Sequence, residues 1–285
     1  MNFLLKGKRG AAVPAAIFFV LFLTLFSLLG SLYAAVGSGN PVNKVTGTLI
    51  SSKSFKVDAG KYFVSKALET ASGDERKLLL EKGPQISGAV TQILGNPIFK
   101  SQLDQISNTA YTYYTTNTKV EQNINVKPLL QLALLGLESV DPQFSQLKKE
   151  LNKIKPIKLQ PQTKGPNAAQ VKSDFTLIVV LLLLLTLFTL VLYLVFAKSK
   201  KGAFRTLGVT FLCNGLVLIV INIVAGAIIK HQAGTASESL AREAIPIAAH
   251  PLTAPFFILG LLEFLVGLIL VVITFLKRVN VNSQG

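Results

Sequence analysis

The sequence predicts an all-α membrane protein of four transmembrane helices, with a mainly helical extracytoplasmic domain between the first and second spans. Three observations predict it. Half of the 285 residues are hydrophobic, four apolar runs are long enough to cross a bilayer, and basic residues crowd the short flanks of those runs. A hydrocarbon core about 30 Å thick takes roughly 20 residues of helix. Ala11–Val36, Phe175–Ala197, Thr206–Ile229 and Leu252–Leu276 meet that length without a Lys or Arg, and only the last holds a carboxylate, Glu263.

Direction follows from the flanks. Lys6, Lys8 and Arg9 precede the first span; Lys198, Lys200, Lys201 and Arg205 fill the link after the second; Lys277 and Arg278 follow the fourth. The link between spans three and four balances Lys230 and Arg242 against Glu238 and Glu243. Excess Lys and Arg stay in the cytoplasm. Residues 1–10, 198–205 and 277–285 are therefore expected inside a multi-pass plasma-membrane protein. Residues 37–173 and 230–251 are expected outside, with the second span counted from Asp174. The first run exceeds the roughly 7–15 residues of a signal-peptide core. It is expected to remain as an anchor rather than be cleaved near Ala35-Val36-Gly37.

The single cysteine, Cys213, allows no disulfide within the chain, and no acceptor sequon for N-glycosylation occurs. Both fit a bacterial cell envelope. A net charge of +15 points to topology and anionic surfaces before nucleic acid.

Between the first two spans the pattern is helical. Phe55, Tyr62, Phe63, Ala67 and Leu68 follow helical spacing. Asp74 is expected to cap a second helix, which Gly83-Pro84 interrupts. Asn96-Pro97 starts a third, with an apolar stripe of Phe99, Leu103, Ile106, Ala110 and Tyr114. Asp141-Pro142 repeats that start. Ile124 to Val126 and Ile154 to Leu159 leave room for one short two-stranded ribbon, with Pro156 confining the second strand to an edge. Tyr62, Tyr111, Tyr113 and Tyr114 are read as core packing rather than sugar or interface contacts.

Residues 148–172 carry seven lysines and one glutamate, with prolines at 156, 161 and 166. This basic stalk offers Lys148, Lys149, Lys153, Lys155 and Lys158 to anionic lipid headgroups or wall polymers. A plain solvated linker is the favoured reading, since charge runs are commonly just solvated.

Inside the membrane, Glu263 lies near the middle of its span, where ionisable groups are costly and usually functional. Gly260, Glu263, Gly267 and Thr274 share one helical face, and Gly208, Gly215, Asn222 and Gly226 form a seam on span three. Small residues let helices approach, and polar ones bond across the contact. Counting depth from the span ends places Asn222 opposite Glu263, with Thr24, Ser27 and Thr186 at similar level. One polar cluster of Glu263, Asn222 and Thr186 is therefore expected. With no in-membrane Lys, Arg or His, Glu263 is expected to be protonated and to donate one hydrogen bond. It is expected to serve as interhelical glue; the alternative, a proton or cation relay, needs a chain of titratable groups, and Glu263 is the single acidic or basic one in the four runs.

No phosphate loop, H-E-x-x-H, G-x-S-x-G or C-x-x-C occurs, so no catalytic residue, cofactor or metal is assigned. His231 and His250 alone make a poor metal site. Thr235-Ala236-Ser237-Glu238 forms a capping box before a short amphipathic surface helix.

Asn96-Pro97-Ile98-Phe99-Lys100, Ile124-Asn125-Val126-Lys127-Pro128-Leu129-Leu130 and Asn167-Ala168-Ala169-Gln170 carry a resemblance. The chain resembles uncharacterised integral membrane proteins of actinobacterial type, with one span, an outer helical domain, then three spans. That resemblance implies the layout and no activity. Tetraspanins and claudins share the span count, but this chain lacks their cysteine pairs and has no tryptophan. The expected function is a non-enzymatic envelope protein: a scaffold, sensor or accessory subunit, partnered by the bilayer and by another membrane protein. The alternative is a transporter or channel component using Glu263.

Overall fold

The structure, a computed structural model, describes residues 2–37, 39–116, 121–159 and 168–282. Helix accounts for 89% of it, which fixes the all-α class. The order is α1 (Asn2–Leu32) with a π-helical turn (Tyr33–Gly37), then α2 (Pro41–Ser51), α3 (Lys53–Thr70), α4 (Gly73–Gly95) and α5 (Pro97–Thr115). There follow β1 (Gln122–Ile124), α6 (Lys127–Glu138), a 3-10 turn (Pro142–Gln146), α7 (Leu147–Lys153) and β2 (Ile157–Leu159). Three long helices close the chain: α8 (Ala168–Phe196), α9 (Lys200–Thr235) and α10 (Ser239–Asn282).

The chain divides into two compact units. The first comprises Met1–Ser38, Ser173–Ala227 and Thr253–Gly285. It holds the apolar parts of four helices long and apolar enough to cross a membrane: Ala12–Gly37, Ala169–Phe196, Lys200–Thr235 and Ser239–Phe275. Their outward residues are as apolar as their core; Ile17, Leu177, Val195 and Ile223 all stay exposed. Water would penalise that surface, and lipid does not. Inside, Ala15, Phe19 and Leu23 of α1 pack with Tyr193 of α8 and with Ala203 and Leu207 of α9. Phe19 meets Phe211 edge-on, with ring centroids 6.1 Å apart.

The second unit comprises Gly39–Lys172 and Ile228–Leu252. Its centre is the α3–α4 pair. Gly60 approaches the Ser87 carbonyl so closely that any Cβ there would collide with it. Thr91 Oγ1 stands 3.2 Å from the Lys56 carbonyl across the same contact. Ile86 is fully buried beside it. Gly136 of α6 gives way in the same manner to Ile93 of α4, which would lie 2.5 Å from an added Cβ.

Helix starts follow local chemistry. The Asn96 side chain accepts from the Ile98 amide at 2.8 Å, and Pro97, lacking an N–H, opens α5. Asn40 and Asp141 do the same for the Val42 and Gln143 amides, each at 2.9 Å. Two expectations fail nearby. Ser72 is the N-cap of α4, so Asp74 lies within the first turn. Pro84 does not interrupt α4, which runs unbroken from Gly73 to Gly95. Its ring is exposed, and the Leu80 carbonyl it leaves without an amide partner belongs to a residue 64% exposed, where water can serve.

The ribbon is antiparallel and pairs Gln122 with Leu159, Asn123 with Lys158 and Ile124 with Ile157. Ile124 and Leu159 turn inward onto Tyr113, which is 2% exposed. Tyr113 therefore packs the core, and burial pushes its phenol above the usual tyrosine range. Tyr114 is exposed and meets the Tyr113 ring edge-on.

The basic stretch is not a stalk in its first half. Lys148, Lys149 and Lys153 lie on α7 and Lys158 on β2, with Lys155 between them. Pairing with β1, far upstream, folds this part into the unit. Residues 160–167, with Pro161, Lys164, Gly165, Pro166 and Asn167, lie outside the described residues. The expected amphipathic link helix also differs: only Ala236–Glu238 separate α9 from α10, and the sequence beyond is the first part of α10.

Candidate functional site

Glu263 of α10 is 6% exposed within the apolar unit. Its Oε1 lies 2.5 Å from Ser27 Oγ of α1, and its Oε2 accepts from Asn214 Nδ2 of α9 at 2.6 Å. Asn214 Nδ2 also donates to Ser27 Oγ at 3.0 Å. Ser27 Oγ in turn reaches the Leu23 carbonyl of its own helix at 2.8 Å. Ser27 is fully buried and Asn214 is 6% exposed, so the triad is sealed.

Proton counting describes the state that fits. Ser27 has one hydroxyl proton and two flanking acceptors, Leu23 O and Glu263 Oε1. A neutral Glu263 resolves the competition by donating to Ser27 Oγ, leaving the Ser27 proton for Leu23. The two amide protons of Asn214 then serve Ser27 and Glu263 Oε2. Every proton has an acceptor, with no cation required.

The glycines explain the triad's position. A methyl on Gly215 would lie 2.5 Å from Gly260 O, and one on Gly267 would lie 2.6 Å from Gly208 O. Backbone thus meets backbone at two levels, fixing an antiparallel register in which Gly208 faces Gly267 and Gly215 faces Gly260. Leu212 then faces Glu263, and Asn214 is the polar residue within reach.

This corrects the expected cluster. The structure brings Glu263 together with Ser27 and Asn214, not with Asn222 or Thr186. Asn222 is half-buried and lies about 12 Å further along α9, at 1.5 Å per residue. Thr186 is buried, and its hydroxyl donates to Leu182 O at 2.7 Å on its own helix. Thr24 likewise donates to Val20 O at 2.9 Å. Of the expected seam, Gly208, Gly215, Gly260 and Gly267 meet, whereas a Cβ on Gly226 would enter open space. Depth measured from the ends of the apolar runs does not give this register, because α9 and α10 run past those ends to Thr235 and from Ser239; Asn214 lies two turns from Asn222.

Outside the membrane-spanning parts, Tyr62 Oη donates to Glu238 Oε2 at 2.8 Å, and Lys66 lies 3.8 Å from the same carboxylate. That hydrogen bond raises the Tyr62 phenol above its usual range. Lys148 pairs with Glu138 at 2.8 Å and is exposed, as are Lys149, Lys153, Lys155 and Lys158. No group of three His, Cys, Asp or Glu side chains able to hold a metal occurs among the described residues. The chain matches no family model, no curated protein and no solved structure.

Proposed function

We propose that the chain is a non-enzymatic cell-envelope protein of the plasma membrane: a scaffold, sensor or accessory subunit. Its four spans anchor a basic helical domain on the outer face, with both termini in the cytoplasm. The observation that carries this reading is the closed triad. Ser27, Asn214 and Glu263 tie three helices together and satisfy one another, and the four apolar runs contain no second carboxylate to pass a proton onward. Such a cluster holds spans in a fixed arrangement. The exposed lysines of α7 and β2 suit anionic lipid headgroups or wall polymers.

The test is crosslinking in intact cells from a photoreactive residue at Lys149, followed by identification of what is captured. A membrane protein or wall polymer is expected. Proton or cation flux in proteoliposomes of the purified chain, abolished by Glu263→Gln, would replace this reading with the transporter.

A further inference from the structure

A second feature of the first unit lies one turn from the triad. Phe26, Gly30 and Ser31 of α1, Val179 of α8, and Ile258 and Leu262 of α10 line a cavity of about 460 Å³. That falls within the roughly 300–1,000 Å³ of ligand sites. Its walls are almost wholly apolar.

Ser31 is the exception. It is 1% exposed, and its hydroxyl makes no hydrogen bond. The other hydroxyls of this helix behave differently. Ser27 reaches Leu23 O at 2.8 Å, and Thr24 donates to Val20 O at 2.9 Å. Bonding back to the carbonyl four residues earlier is open to any helical serine, and Ser31 does not use it. A buried donor without an acceptor is unfavourable, so an acceptor supplied from the cavity would stabilise it.

Depth narrows the partner's chemistry. The span Ala12–Gly37 has 26 residues, hence about 39 Å at 1.5 Å per residue. Centred on a core of about 30 Å, each end projects some 4–5 Å beyond it. Ser31 lies six residues before Gly37, so it sits roughly 4–5 Å inside the hydrocarbon boundary. A lipid's acyl ester carbonyl lies near that boundary, with its chain running inward. Tyr33 also lines the cavity; its ring packs edge-on against Phe175 at 5.7 Å, and its hydroxyl accepts from Thr176 at 3.3 Å. The π-helical turn Tyr33–Gly37, a rare form that recurs at functional sites, follows directly.

We propose that this cavity is a binding site for a diacyl lipid, with one acyl chain lying along Phe26, Gly30 and Leu262 and its ester carbonyl accepting from the Ser31 hydroxyl. A diacyl lipid is the occupant because the walls require a hydrocarbon chain and Ser31 requires an acceptor at ester depth. An isoprenoid or alkyl-ether chain meets only the first requirement.

The full chain, purified and loaded with diacyl phosphatidylglycerol or its dialkyl-ether analogue, is examined by native mass spectrometry for retained lipid. Wild type should retain the diacyl form about five- to tenfold better, the difference of one hydrogen bond. Ser31→Ala should erase that preference. Gly30→Leu, whose Cβ meets only the Phe26 ring at 3.8 Å, should fill the cavity and displace both lipids while the fold persists. Equal retention of ester and ether by wild type would overturn the proposal. So would a Gly30→Leu protein that keeps as much diacyl lipid as wild type. Should Gly30→Leu fail to fold, the Ser31→Ala arm decides alone: an undiminished ester preference there overturns the assignment.

Discussion

Gly215 and Gly260 meet main chain to main chain: a methyl on Gly260 would lie 2.9 Å from the Gly215 carbonyl oxygen, and one on Gly215 2.5 Å from that of Gly260. No side chain of any kind fits between them. Gly215→Leu should therefore lower stability by at least the ~1–3 kcal/mol of an overpacked core. Gly226→Ala, with open space around it, should leave stability unchanged or raise it by up to ~1 kcal/mol through helix propensity. Unfolding in detergent, followed by circular dichroism, compares the two. Equal losses would contradict the register.

The triad separates two asparagines on one helix. Asn214→Leu removes donors to Ser27 and Glu263 and should cost roughly 0.5–2 kcal/mol. Asn222→Leu should cost little. If Asn222 proves the more costly in the same unfolding assay, the pairing of α9 with α10 is misplaced by two turns.

Glu263→Gln retains a donor for Ser27 Oγ and an acceptor for the Asn214 amide. It should keep both stability and complementation of a deletion strain, whereas Glu263→Leu should lose stability by about 0.5–2 kcal/mol. A stable Gln variant that fails to complement would instead mark an exchanged proton.

Orientation is checked with cysteines in a Cys213→Ser background. An impermeant maleimide should label Ser101→Cys in intact cells and Ser199→Cys only after lysis. Both positions are exposed in the structure, so access across the membrane is what differs. The reverse pattern would invert the topology.

The exposed lysines give a charge prediction. Changing Lys149, Lys153, Lys155 and Lys158 to Gln should weaken attachment of the protein, held in neutral nanodiscs, to anionic vesicles. Each lysine near such a surface contributes about 1 kcal/mol, and the contribution fades with salt. Lys148→Gln alone should act through Glu138, not through the vesicle. Sedimentation across a salt series distinguishes these; wild-type binding that ignores salt would remove the electrostatic contact.

Much of the fold was legible because its signals are local. Four apolar runs, the Asn96-Pro97 start and the ribbon residues around Ile124 and Leu159 declare themselves within a few positions. Pro84 misled because proline's effect depends on which side of the helix faces water, which only packing decides. The triad was half legible. Ser27 and Glu263 fell at matching depths, but Asn214 required the register between two helices. The spacing of Gly208 and Gly215 matches that of Gly260 and Gly267 and contains that register. Aligning the glycine pairs, rather than the span ends, would have selected Asn214. Ser31 was not legible at all, since a missing hydrogen bond leaves no mark in sequence.

The sequence distances within the triad also order events during synthesis. Ser27 is made early, Asn214 follows 187 residues later, and Glu263 comes 236 residues after Ser27. At roughly 5–20 residues per second, α1 waits on the order of ten to fifty seconds for its last partner. Ser27 tolerates that interval because the Leu23 carbonyl, 2.8 Å away, serves its hydroxyl in an isolated helix. The carboxyl, the group that a bilayer penalises most, emerges last, into a membrane where α1 and α9 already carry its two partners. A ribosome stalled before α10 would leave behind three spans without Glu263, the one acid of the triad. One stalled before α9 would leave no buried amide either.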